Sequence, residues 1–261
     1  MSSVFGSHPF PFEYRGGSIT IATRMAEGFA RYERTCRGDR LEKILAGSGC
    51  PLTINPVEPV KLPKEITSYL EVHFPAVIIG PGGGKVLYLT FPIDIGVFLK
   101  GKEDYSLLDL FSLVPQKYSL YGPPDGGVVT RYFESDVHPD IPVVDPLVSG
   151  VLELSLKNQA RDWIEVSRVV LDSIGMTIYY GGYASIAAGM EIFSSSVAET
   201  QVTRKLLAEG QQPGVPASSA KKVTVASMFG SFPLYTAGKA LVSEKKGYLM
   251  EYGLGDMIEH D

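Results

Sequence analysis

Apolar residues at every second position constrain this chain more than any other feature. Ile19 and Ile21 alternate with Ser18 and Thr20, and Leu70, Val72 and Phe74 with Glu71 and His73. Leu152, Leu154 and Leu156 are spaced by Glu153 and Ser155, and Met176, Ile178 and Tyr180 by Thr177 and Tyr179. Successive side chains on a strand point to opposite faces, so each run has one face to bury and one wetter face. Antiparallel sheets packed on one side meet that demand. Val86–Phe91 is apolar on nearly both faces, and Ile93–Leu99 is broken only by Asp94 and Gly96, which places both centrally. Along Ile164–Leu171 the parity changes between Val166 and Val169; a bulge at Ser167–Arg168 reconciles the two phases.

Turn residues punctuate these runs at Gly80–Gly84, Gly122–Gly127 and Gly181–Gly182, as in an all-β sandwich or barrel. The glycine run is a hairpin loop on this reading. Asn55–Pro56 and Glu58–Pro59 interrupt a strand-like stretch, which must therefore be an edge strand or an extended connection. Helical signals are few. Asp104–Val114 fits one or two turns, with Leu107, Leu108 and Phe111 on one side. Ser196–Glu199 matches a capping box but also alternates like a strand, so both readings of 196–209 stand. Residues 211–220 read as an exposed linker.

Matches offset by about 100 residues suggest a duplication. Arg31-Tyr32-Glu33 echoes Arg131-Tyr132-Phe133-Glu134, Leu52–Asn55 echoes Leu152–Ser155, and Leu70–Phe74 echoes Met176–Tyr180. The fold expected is all-β, mainly antiparallel, with tandem β-sandwich-like units and few short helices. The first unit covers 1–114, the second 115–210, and 211–261 supplies a linker and C-terminal strands packing on both.

The chain's 261 residues suffice to bury a sizeable core without staples. A net charge of −5, with basic clusters no longer than Lys221–Lys222 and Lys245–Lys246, argues against nucleic-acid binding. Cys36 and Cys50 are too few for a disulfide framework or a zinc site and fit free thiols in the cytoplasm. No apolar run is long enough to span a bilayer, and Met1–Phe10 lacks the pattern of a signal peptide.

Chemistry-bearing motifs are sparse. Asp136, His138 and Asp140 would share one face of an extended segment and offer oxygen and imidazole ligands to a divalent metal. Pro139 and Pro142 favour an ordinary acidic loop there. Gly80-Pro-Gly-Gly-Gly-Lys85 lacks the spacing and the Ser or Thr of a phosphate loop. No nucleophile elbow is present, no residue is assigned a catalytic role, and no cofactor is called for. His8, His73 and His260 read as solvated. The Arg–Tyr–acid triplets read as exposed cross-strand charges rather than paired binding faces. Tyr179, Tyr180, Tyr183 and Trp163 are candidates for a recognition surface, beside a role in packing.

Asn55-Pro-Val-Glu-Pro-Val-Lys-Leu-Pro63, Phe91-Pro-Ile-Asp-Ile95, Lys117-Tyr-Ser-Leu-Tyr-Gly122, Arg131-Tyr132 and Met250-Glu-Tyr-Gly-Leu254 carry a resemblance over nearly the whole chain. The sequence resembles an archaeal family of uncharacterised proteins, domain of unknown function 432. The resemblance implies no catalytic residues. It implies proximity to mechanosensitive channel proteins and, through that, peripheral association with a membrane protein. The functional expectation is a non-enzymatic protein-binding or regulatory module, with a protein partner or self-association. The alternatives are an enzyme or carbohydrate-like binder using acidic loop residues, and a soluble subunit of a membrane-associated assembly.

Overall fold

The computed structural model describes residues 3–26, 28–46, 50–62, 66–102, 104–222 and 247–255. Among them the regular structure is entirely strand. No helix among the described residues is long and apolar enough to cross a membrane. Lys245–Lys246 and His260 lie outside the described residues.

Four sheets share the work. Sheet A runs β1 (Gly6–His8), β6 (Leu52–Val57), β9 (Asp94–Lys100), β10 (Tyr105–Phe111), β19 (Lys221–Lys222). Sheet B is a meander of β2 (Phe12–Gly16), β3 (Ile19–Ala26), β4 (Phe29–Cys36) and β5 (Asp39–Ala46). Sheet C runs β11 (Lys117–Tyr121), β12 (Val128–Glu134), β7 (Tyr69–Ile79), β14 (Ile164–Asp172). Sheet D runs β18 (Gln212–Pro213), β15 (Tyr179–Tyr180), β16 (Ala184–Ile192), β13 (Ser149–Asn158), β8 (Gly84–Pro92), with β17 (Ala198–Thr203) branching from β16 and carrying β20 (Tyr248–Met250). Most pairs are antiparallel; β7–β12, β13–β16 and β10–β19 are parallel. Sheets C and D each draw strands from both sides of residue 114.

The alternation dictates which faces meet. Leu70, Val72 and Phe74 from sheet C join Leu87, Leu89 and Phe91 and Leu152, Leu154 and Leu156 from sheet D in one apolar core. Sheet B attaches to sheet A through a buried polar clamp: the Tyr32 hydroxyl (2.8 Å) and Arg34 Nε (2.7 Å) both donate to Asp109 Oδ2. Buried polar groups must find such partners to be tolerated.

Several sequence readings meet their structural outcome here. A register shift does fall between Val166 and Arg168, but its surplus residues lie on the partner strand, where the matching step runs from His73 to Val77. Residues 55–57 of β6 pair only with β9, because β1 ends opposite Ile54, so Pro56 sits where one side of the ladder is open. β9 lies inside its sheet as expected, whereas β8 ends the main path of sheet D and exposes Val86.

Other readings are corrected. Residues 104–114 form no helical turn: β10 pairs with β9, and tertiary pairing overrides a weak local helical pattern. In 196–209 the strand reading holds, as β17 between β16 and β20. The Gly80–Gly84 turn does not close a hairpin but carries the chain from sheet C to sheet D. Segment 211–220 is no exposed linker. Val215 N–H donates to Asn55 Oδ1 (3.2 Å), and Ala217 and Ser218 N–H to the fully buried Glu58 carboxylate (3.0 and 2.7 Å). The two triplets do not present equivalent faces. Arg31 makes a half-exposed pair with Glu42 (3.2 Å), while Arg131 is buried.

Candidate functional site

The register shift between β14 and β7 is the starting point. Between the pairs Val166–Val77 and Arg168–His73, β7 carries residues 74–76 and β14 only Ser167, so the ladder is interrupted there. Here Ser167 and Arg168 N–H both donate to the Leu254 carbonyl, at 2.9 and 3.2 Å. They anchor a C-terminal strap, 248–255, that crosses the face of sheet C opposite the Leu70–Val72–Phe74 side. Tyr121 grips the same strap twice: its hydroxyl donates to Gly253 O (3.1 Å) and accepts from Tyr252 N–H (3.0 Å). Tyr252 packs over Gly122, where a Cβ would meet its ring at 2.5 Å, and Gly122 has φ +103°. A side chain at 122 would both strain the backbone and lift the strap.

Next to Arg168 lies a buried carboxylate. Glu71 is 1% exposed and accepts from His73 Nε2 (2.7 Å), Ser119 Oγ (2.6 Å) and Thr130 Oγ1 (2.5 Å), with Arg168 Nη1 at 3.5 Å. Burial pushes this carboxyl's pKa up, but hydrogen bonds from His73, Ser119 and Thr130 outweigh it, and the net displacement is downward. The carboxylate is the acceptor that holds an N–H at His73 Nε2. Arg168 also donates through Nη2 to Gly255 O (2.7 Å), so one guanidinium ties carboxylate, β14 and strap together.

Two openings flank this network. On the strap side a groove of about 890 Å³ is lined by Leu120, Trp163, Arg168 and Tyr252, with Glu165 and Glu251 at its rim. Trp163, the single tryptophan, is 72% exposed and rests against Gly80, whose missing side chain leaves the ring its seat. On the other side a cleft of about 490 Å³ is lined by His73, Tyr132, Glu134, Ser135 and Asp136. Tyr132 stands 4.8 Å from the His73 ring and donates to Glu134 Oε1 (2.7 Å).

Of the residues singled out from sequence, Asp136 lies in this cleft and is exposed. His138 pairs its backbone with Tyr88 at 2.9 and 3.0 Å, and Asp140 is exposed. Among the described residues no three His, Cys, Asp or Glu side chains converge on a metal position. Trp163 lines the groove; Tyr180 is instead buried against Phe5 at 5.9 Å, and Tyr179 and Tyr183 are half-buried. Glu71 and Arg168 were missed. Alternation put Glu71 on the wetter face of its strand, and the partners that enclose it there, Ser119, Thr130 and Arg168, are distant in sequence.

A family model described as protein of unknown function (DUF432) matches residues 4–234. The chain belongs to that family. Its match ends before the strap, so the DUF432 region holds Glu71, Arg168, Trp163 and the cleft, while the strap lies beyond it. No curated protein and no solved structure matches the chain.

Proposed function

We propose that this protein is a non-enzymatic binding module that seats an extended segment of a partner protein in the groove beside Trp163. One observation carries the reading: the chain's single tryptophan stands largely exposed in a groove with Leu120 and Tyr252. Exposed aromatic anchors beside apolar walls recur as binding hot spots. Glu165 and Glu251 give the rim negative charge, while Arg168 is engaged by Glu71 and Gly255. The segment that fits carries a bulky apolar side chain flanked by Lys or Arg.

Random peptides displayed on phage test this directly. Selection should enrich an apolar anchor beside basic residues, and the selected peptide should shift Trp163 emission. Trp163→Ala should weaken binding by tenfold or more, about 1.4 kcal/mol. Equal affinity for wild type and variant, or no enrichment, overturns the reading.

A second reading has its own observation. In the cleft, the Tyr132 ring stands beside the carboxylates of Glu134 and Asp136, a combination suited to sugar hydroxyls. If this cleft binds carbohydrate, a glycan array should give hits that Tyr132→Ala abolishes and Trp163→Ala leaves intact. An array without hits removes it.

A further inference from the structure

Strand β5 ends sheet B, and no strand among the described residues pairs with its outer edge. An open edge of eight residues is a template for another chain unless something blocks it. What β5 presents is not a uniform block of charge. It reads Asp39-Arg40-Leu41-Glu42-Lys43: acid, base, leucine, acid, base. Reversed, that order is base, acid, leucine, base, acid. Laid antiparallel on its own copy with the axis at Leu41, it opposes Arg40 to Glu42 twice and Asp39 to Lys43 twice.

Backbone geometry agrees with that register. Arg37 and Gly38, at φ +49° and +86°, form the two-residue turn between β4 and β5, and Cys36 faces Asp39 across it. Such a turn makes its flanking residues a hydrogen-bonded pair, after which bonded and non-bonded pairs alternate. Asp39, Leu41 and Lys43 thus spend their N–H and C=O on β4, while Arg40, Glu42 and Ile44 turn theirs outward. A two-fold axis perpendicular to the sheet pairs residues of equal parity, and an axis at Leu41 brings Arg40 opposite Glu42 as a bonded pair. Moving the axis to Arg40 or Glu42 sets like charges face to face at the centre, which is destabilising.

Of the outer-face side chains, Glu42 already pairs with Arg31 (3.2 Å) at a half-exposed position and would share its carboxylate with the incoming Arg40. Arg40 is well exposed and its contacts to Glu33 (3.7 Å) and Glu42 (3.9 Å) are loose. On the inner face, Asp39 already accepts from Arg34 (3.1 Å) and Lys43 donates to Leu108 O, so the Arg40–Glu42 pairs set the register. Ile44, 63% exposed, would come opposite Gly38, where no side chain obstructs it.

We infer that β5 pairs antiparallel with β5 of a second copy about Leu41, joining two four-stranded meanders into one continuous sheet across a two-fold homodimer. This interface stands apart from the groove at Trp163 and does not depend on it.

Charge reversal tests it by light scattering coupled to size exclusion. Wild type should have twice the 28.3 kDa chain mass. Arg40→Glu and Glu42→Arg should each give monomers, because each sets like charges opposite. Mixed in equal amounts, the two variants should recover dimer, since the two reversed positions then face each other with opposite charges across the axis. The mixture guards against misfolding, because unfolded chains do not rescue one another. A monomeric wild type, dimers that survive both reversals, or a mixture that stays monomeric overturns the inference.

Discussion

Asp94→Asn should stabilise the protein above neutral pH and leave it nearly unchanged at about pH 4. Asp94 is fully buried at the start of β9, and neither carboxylate oxygen has a hydrogen-bond partner among the described residues. Burial pushes its pKa up to about 7. The neighbouring Ser112 hydroxyl, which donates to Val114 O (3.2 Å), and the Arg131 guanidinium offset part of the rise, and Glu58 adds to it. Arg131 is itself 1% exposed and donates to Lys117 O and Pro115 O, both at 3.2 Å, so its positive charge is held in place.

The sign follows from proton counts. Between the ordinary value of 3.8 and about 7, the folded chain keeps a proton on Asp94 that the unfolded chain has released. Stability therefore falls as pH rises through that window, by at most about 4 kcal/mol once Asp94 is ionised. Asparagine removes the carboxylate while keeping its shape. At about pH 9 the variant should melt roughly 10 °C above wild type, and at about pH 4 within a degree or two of it. Melting curves at both values decide the matter. A difference of the same size at both would show that Asp94 acts through packing and not through its proton.

How much of this was legible in the sequence depends on the range of the contact. The place of the register shift in β14 was readable because the parity change between Val166 and Val169 is local, but not that the surplus residues sit on β7. Edge character at Pro56 was readable because proline lacks a ladder donor. The strand at 105–111 was not, because its partner β9 lies across a turn and its three apolar residues fit a helix face equally well. Docking of 211–218 was equally hidden. Asn55 and Glu58, some 160 residues away, hold its backbone, and its own Gly and Pro read as a linker. Of the site, the exposed aromatic Trp163 and the acidic Asp136 were visible as residue types. Glu71 was not, since a carboxylate alternating with apolar residues signals a solvated face, and the groups that enclose it come from β11, β12 and β14.

That enclosure makes Glu71→Ala a costly change. Ala leaves Arg168 and the hydroxyls of Ser119 and Thr130 without the acceptor they converge on, inside a region where Glu71 is 1% exposed. Removing one partner from a buried charged network costs about 3–5 kcal/mol. Because Arg168 also holds Gly255, the strap should loosen with it and open the groove at Trp163. Glu71→Gln separates charge from shape. Its own pH signature runs opposite to that of Asp94. The folded pKa of Glu71 lies below the ordinary 4.5, so its charged form stabilises the protein above that value, and the benefit is lost as pH falls through the depressed folded pKa. The gap between wild type and Glu71→Gln in urea unfolding should therefore be full at about pH 7 and close in acid below about pH 4. A gap that persists undiminished into acid would mean that the glutamate contributes through shape alone. With both groups titrating as assigned, wild type is most stable at about pH 4, where the gain at Glu71 is largely present and the loss at Asp94 has only begun. Asp94→Asn should carry that stability upward in pH without moving its acid edge.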